Sequence, residues 1–433
     1  MLLDKKNLYS LMLFAYWVFL WISINTTPHS QGLFHINNSW DFTEVVRISI
    51  ALVSTLIIIV FCIFYISLKK IKINKIYLYF FLNFVSHLIG LYLNENRIFN
   101  FNNSFLPLLA IGTILLFILC EQLETDIFIE YFFWISIMFL LISFAINFFP
   151  KIQDLNNLNF SQLFSKHEKN IFNLSVPRTT GLSRSLAIIN LFLILMFLDF
   201  KKKYVKNLMI VITLAISLII LFFQSRGTLL CYFLSLSIFI IFLRKDKNNL
   251  KIKNILILII IPFFLYLCIN NYINENKIDK KNIKINNRIF YMHTSGRIET
   301  WTYVLKNHNY KKQFGYGPQG DRFFLKKFEK QISEKGYGNN SSNIFIYTLL
   351  SGGVTSFILL ILFFYEILKI LIKKKLSVSF NESSIYFKFS IICLIFFSLR
   401  SIVENSFGLF SIDFLIILFS IFCIINTTKV INK

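Results

Sequence analysis

The stretch LMIVITLAISLIILFFQSRGTLLCYFLSLSIFIIFL (208–243) carries one charge, Arg226, between two apolar runs. Each run is close to the length at which a helix crosses a hydrocarbon layer of ~30 Å. In lipid the backbone must satisfy its own N–H and C=O groups, and a helix does so within one segment. Gln224-Ser225-Arg226-Gly227 is therefore read as a tight turn at a membrane boundary. An ionised side chain at such a place faces a cavity, a partner or the lipid interface.

The same pattern recurs along the chain. Twelve apolar stretches lie at roughly 8–25, 46–67, 76–93, 105–120, 129–149, 184–199, 205–223, 227–243, 254–272, 343–371, 385–405 and 407–425. Of the 433 residues, 56% are hydrophobic and 15% charged, more apolar surface than a soluble fold can hide. The alternation of a β-barrel is absent. The expected fold class is an all-α polytopic membrane protein of about twelve transmembrane helices with a large, partly helical periplasmic loop. Its parts are helices 1–9 over 1–272, with an external loop at about 150–183, the large loop over 273–342, and three last helices over 343–433. Lys5 and Lys6 precede the first run, and no small-residue cleavage site follows, so it is read as a retained anchor.

Lysines mark every second connection: Lys69 to Lys75, Lys201 to Lys203, Arg244 to Lys253 and Lys373 to Lys375. By the positive-inside rule this places both termini in the cytoplasm of a bacterial inner membrane. EQLETD (121–126) dissents, having no Lys or Arg on what should be the inner side.

The net charge of +23 forms no contiguous basic domain with interleaved aromatics, so nucleic acid is excluded as a partner. The six cysteines lie in apolar runs without a CxxC pair, and P-loop, GxGxxG and HExxH motifs are absent. No cofactor or metal is expected.

Only ten of the 45 basic residues are arginine. Nine of them fall in outward loops or at outward ends: Arg47, Arg97, Arg178, Arg184, Arg226, Arg288, Arg297, Arg322 and Arg400. Lysine and arginine serve topology equally, but arginine alone offers a planar fork that grips phosphate or carboxylate through two parallel bonds. The large loop adds 14 basic against 6 acidic residues, a surplus of 8. Both features point to an anion held outside.

In HTSGRIETWTYV (293–304), Ile298, Trp301 and Leu305 recur at helical spacing and Thr294 or Ser295 can cap the start. Arg297 then sits in a first turn whose free N–H groups are already positive, an unusual seat for a cation without a bound anion. Glu299 in that turn offers an alternative partner. Next, the glycines and proline of GYGPQG (315–320) form a turn. Phe324, Phe328 and Ile332 then make an apolar face suited to a helix lying on the membrane surface. At SSNIFIYTLLSGGV (341–354) the chain returns to the membrane, with Ser341 and Ser342 as caps before Asn343. Arg400 and Glu404, four apart, are expected to pair with each other.

In this order RTTGLSRS (178–185), SRG (225–227), SGRIETW (295–301), GYGPQG and SSNIFIYTLLSGGV resemble the O-antigen polymerase and O-antigen ligase superfamily of bacterial envelope glycosyltransferases. The resemblance covers about residues 178–360. It implies a GT-C-like integral-membrane glycosyltransferase that needs neither nucleotide nor metal. The donor would be a polyprenyl-diphosphate-linked oligosaccharide and the acceptor a glycan, with membrane lipids and other polysaccharide-assembly proteins as further partners. Carried over by position, Arg226 and Arg297 hold the diphosphate with Arg178 assisting, while Arg184, Arg322, Tyr316, Ser342 and Asn343 line the substrate path.

Ligases of that superfamily carry His-Asn where this chain has Ser342-Asn343, and a serine cannot act as the general base. His293, His308 and Glu299 remain as substitutes. The departure favours polymerisation of repeat units, with ligation to lipid A core as the alternative and a glycan flippase or exporter as the non-enzymatic one. Deep intramembrane charges and two similar halves, which a transporter would show, are not found.

Overall fold

The computed structural model describes residues 5–24, 42–68, 73–93, 105–123, 126–156, 179–199, 203–222, 226–243, 297–308, 313–327, 341–377, 384–408 and 410–431. Among them the regular structure is entirely helical. The helices are α1 (Lys5–Ser23), α2 (Phe42–Leu68), α3 (Lys75–Tyr92), α4 (Phe105–Gln122), α5 (Asp126–Asn156), α6 (Thr179–Asp199) and α7 (Lys203–Phe222). They continue with α8 (Arg226–Leu243), α9 (Arg297–Asn307), α10 (Gly320–Lys327), α11 (Ile344–Ser377), α12 (Ile385–Arg400) and α13 (Ile412–Ile431).

The expectation of about twelve membrane crossings, and with it the GT-C-like many-pass fold, is corrected. Three helices among the described residues are long and apolar enough to cross: Phe105–Gln122, Phe128–Ile146 and Ile344–Lys373. Six other helices contain shorter apolar segments of 10–17 residues: Tyr9–Ser23, Ser49–Tyr65, Gly181–Met196, Val211–Ile220, Gly227–Phe239 and Ile412–Asn426. At 1.5 Å per residue these apolar segments cover roughly 15–26 Å, less than the hydrocarbon core. Counting apolar composition alone overstates helix length, because turn residues are apolar too. Residues 401–408, read as helix on both sides, form turns between α12 and α13. The run at 254–272 lies outside the described residues. All-helical described residues with a few apolar segments long enough to span fit a membrane-associated protein.

The core is aromatic. Phe80 stacks on Phe363 at 4.4 Å between α3 and α11, the most extensively packed helix pair, and Trp17 stacks on Phe132 at 5.0 Å between α1 and α5. α12 is central to the second half, packing against α6, α8 and α13. Within the α3–α11 seam His87 Nε2 and Ser356 Oγ are 3.1 Å apart, and Ser356 in turn bonds Asn83 Oδ1.

α11 is broken at Gly353, whose φ of 73° and ψ of −166° interrupt the helical hydrogen bonds. The loop 313–320 fills the break. Tyr316 N donates to Leu350 O at 2.7 Å, Gly317 N to Ser351 O at 2.9 Å, and Thr355 N to Gln313 O at 3.2 Å. The orphaned carbonyls of the break are thus satisfied from outside the helix. GYGPQG is consequently a docking strip as well as a turn. A Cβ at Gly315 would overlap Leu350 O and come within 2.7 Å of Gly353 N. Gly315→Ala is therefore expected to cost roughly 1–3 kcal/mol, read as a lower midpoint of unfolding in detergent. Gly227→Ala is the control, because its Cβ would meet only Val403 Cγ2, at an ordinary 3.6 Å.

Candidate functional site

The turn after α12 gathers the arginines. α12 ends at Arg400, whose Nη1 donates to Asp413 Oδ2 at 2.6 Å and to Ser406 Oγ at 2.7 Å. Arg184 of α6 brings Nε within 2.9 Å of Asp413 Oδ1, an ion pair without hydrogen-bond alignment. All three side chains are buried, so one carboxylate in the first turn of α13 holds two desolvated guanidiniums. The expected Arg400–Glu404 pair is corrected: the Arg400 guanidinium turns to Asp413 and Ser406, and the Glu404 carboxylate turns to Arg297.

Glu404 instead accepts a hydrogen bond from Arg297 Nη2 at 2.9 Å, each side chain about one-third exposed (31% and 33%). Among the described residues α9 runs from Arg297, and the expected caps Thr294 and Ser295 lie outside the described residues. The partner of Arg297 is Glu404, whereas the side chain of Glu299 lies outside the described residues. Arg226 opens α8. Its side chain is likewise outside the described residues, but the 3.6 Å approach of a Gly227 Cβ to Val403 sets this helix start against the same turn. Asn343 reaches that turn as well, donating from Nδ2 to Ile402 O at 2.9 Å, while Ile344 N bonds Ser401 O at 3.0 Å. Residues 226, 297 and 343, far apart in sequence, thus converge on 401–404.

Among these described side chains three arginines (184, 297 and 400) face two carboxylates (404 and 413). These five side chains carry one positive charge more than they balance.

The remaining expected site residues divide. Asn343, not Ser341 or Ser342, caps α11: its Oδ1 accepts from Phe345 N at 2.9 Å and Ile346 N at 3.1 Å. Ser342 has a φ of 43°, uncommon for a residue with a side chain, where the chain turns into that cap. Ser341 binds Asp321 Oδ2 through both N and Oγ, each at 2.9 Å, and Trp301 Nε1 donates to Ser341 O at 2.6 Å. Tyr316 and Arg322 sit on the docked loop and α10, both partly buried, and burial raises the Tyr316 phenol above its ordinary range. Arg178 and His293 lie outside the described residues.

Two expected faces turn out differently. Ile298 and Leu305 are exposed, and α9 buries Thr300, Val304 and His308 instead, one helical position away. Phe324 of α10 is buried against Ile346 and Leu350, so it faces protein; Phe328 and Ile332 lie outside the described residues. His308, beside the rings of Tyr316 and Phe324 at 6.2 and 6.3 Å, is buried and closed to an acceptor sugar.

Residues 209–361 match the family model for O-antigen ligase. The match covers 153 of the 433 residues and marks that region as a domain of the O-antigen ligase family model. No curated protein and no solved structure matches the chain. The matched region runs from within α7 to the first half of α11, and so includes Arg226, Arg297, Glu299, Tyr316, Arg322, Ser342 and Asn343. Arg178, Arg184 and the 401–413 segment lie outside the matched region. An O-antigen ligase domain supports an enzyme of glycan transfer, and it backs ligation better than the polymerisation favoured by Ser342.

Proposed function

We propose that the protein is a glycan ligase that moves an oligosaccharide from a polyprenyl-diphosphate carrier to a sugar hydroxyl of a lipid-anchored acceptor such as lipid A core. The reaction would run at the outer face of the bacterial inner membrane. The observation that carries this reading is the surplus of guanidinium over carboxylate around the 401–404 turn, with Arg297 only partly covered by Glu404. Cleaving a sugar–diphosphate bond leaves negative charge on the departing phosphates, and arginines with helix N-termini aimed there stabilise that charge as it develops. Arg297 supplies a fork with donors beyond the one Glu404 uses. Arg226 enters at the adjoining helix start, and Arg178 assists. Asn343 holds α11 against the turn and so keeps the acceptor side in register.

The test is reconstitution in lipid nanodiscs with lipid-linked oligosaccharide and two acceptors offered together: lipid A core and a second lipid-linked oligosaccharide. Glycan appearing on lipid A core is the expected result. Chains that lengthen only on the carrier lipid would make the protein a polymerase, and no transfer to either acceptor would reject the enzymatic reading.

A further inference from the structure

Transfer to a hydroxyl needs a group that takes its proton, and neither Ser342 nor the capping Asn343 can do so. Three carboxylates are described on or beside the segments that meet at this turn. Asp413 is 1% exposed, with both oxygens facing arginines. Asp321 is 3% exposed and bound by Ser341 through backbone and hydroxyl. Glu404 alone of the three combines exposure with direct contact to a proposed diphosphate-binding residue: a third of its side chain is open and Oε1 lies 2.9 Å from Arg297 Nη2. Its backbone is also fixed. Glu404 N donates to Arg400 O at 2.8 Å, and the Arg400 side chain is locked on Ser406 and Asp413. The buried clamp thereby holds an open carboxylate in place.

Resting on the glycan-transfer reading, we propose that Glu404 is the general base of the reaction. As the acceptor hydroxyl oxygen bonds to the donor's anomeric carbon, its proton passes to the Glu404 carboxylate. The bond from that carbon to the diphosphate oxygen breaks, and its electron pair stays on the polyprenyl diphosphate. Water later removes the proton from Glu404. Arg297 lies between the two halves, with its guanidinium on Glu404 and, by the proposed function, on the diphosphate.

The test compares wild type, Glu404→Gln, Glu404→Asp and Glu404→Ala in nanodiscs. Donor affinity and single-turnover transfer are measured separately, the latter with and without added formate. Glu404→Gln is expected to slow transfer on the order of 100–1,000-fold with donor affinity within about threefold, because the amide oxygen still accepts from Arg297. Glu404→Asp should retain part of the rate, and formate should restore part of it to Glu404→Ala alone. A Glu404→Gln rate within about threefold of wild type overturns the assignment. So does a rate loss matched by an equal loss of donor affinity without formate rescue, which would leave Glu404 merely positioning Arg297. Absence of product from the wild type overturns the glycan-transfer reading itself.

Discussion

An Asp413→Ala protein is expected to lose roughly 3–5 kcal/mol of stability, read as a marked fall in the unfolding midpoint in detergent. Asp413 is the carboxylate between Arg184 and Arg400, at 2.9 and 2.6 Å, and both guanidiniums are nine-tenths or more buried. Removing it leaves two desolvated cations facing each other, which costs far more than the ion pairs themselves contribute. The triple change Arg184→Met, Arg400→Met and Asp413→Leu should recover much of the loss, since apolar side chains of similar volume replace buried charges at little cost. An Asp413→Ala midpoint equal to wild type would show that the clamp is not holding α6, α12 and α13 together. Transfer activity should fall with the clamp, because the turn that carries Glu404 hangs from Arg400.

Arg297→Lys is expected to behave in the opposite way, reducing transfer on the order of 100-fold while changing stability by about 1 kcal/mol or less. Burial separates the two cases. Arg297 and Glu404 are each about one-third exposed, so water screens their attraction. Lysine keeps the charge and can still reach Glu404, yet it lacks the second, coplanar donor edge with which arginine serves a carboxylate and a phosphate at once. Single-turnover transfer measured beside thermal unfolding checks both halves. A variant that unfolds early, or one that transfers at the wild-type rate, would contradict this division of labour.

The helical class, a helix over the residues from Arg297 and a turn at 315–320 are legible from residue type and spacing alone. Each depends on local signals: apolar runs, a capping position, a cluster of flexible residues. The number of crossings is not, because an apolar run does not reveal where a helix stops, and Ile402, Val403 and Phe407 are apolar turn residues. The same blindness hid the site's carboxylates. Arg400 and Glu404 satisfy a helical pairing rule, but each side chain takes a partner from a distant segment, Asp413 and Arg297. Asp413 stood as a lone acid in an apolar stretch, and an ionisable residue in such a place is itself a sign of a buried partner. That signal lies within 407–425. The docking of Gly315 and Gly317 on the broken turn at Gly353 could not be read from sequence, because it joins segments 35 or so residues apart through backbone atoms.

The central claim is that arginines meeting at the 401–404 turn bind the donor's diphosphate. Its most direct test is the affinity of nanodisc-embedded protein for a polyprenyl diphosphate, compared among wild type, Arg226→Lys and Arg297→Lys. The account predicts at least about tenfold weaker binding in each variant, as expected when a bidentate phosphate contact is lost. Affinities equal to wild type in both would contradict it.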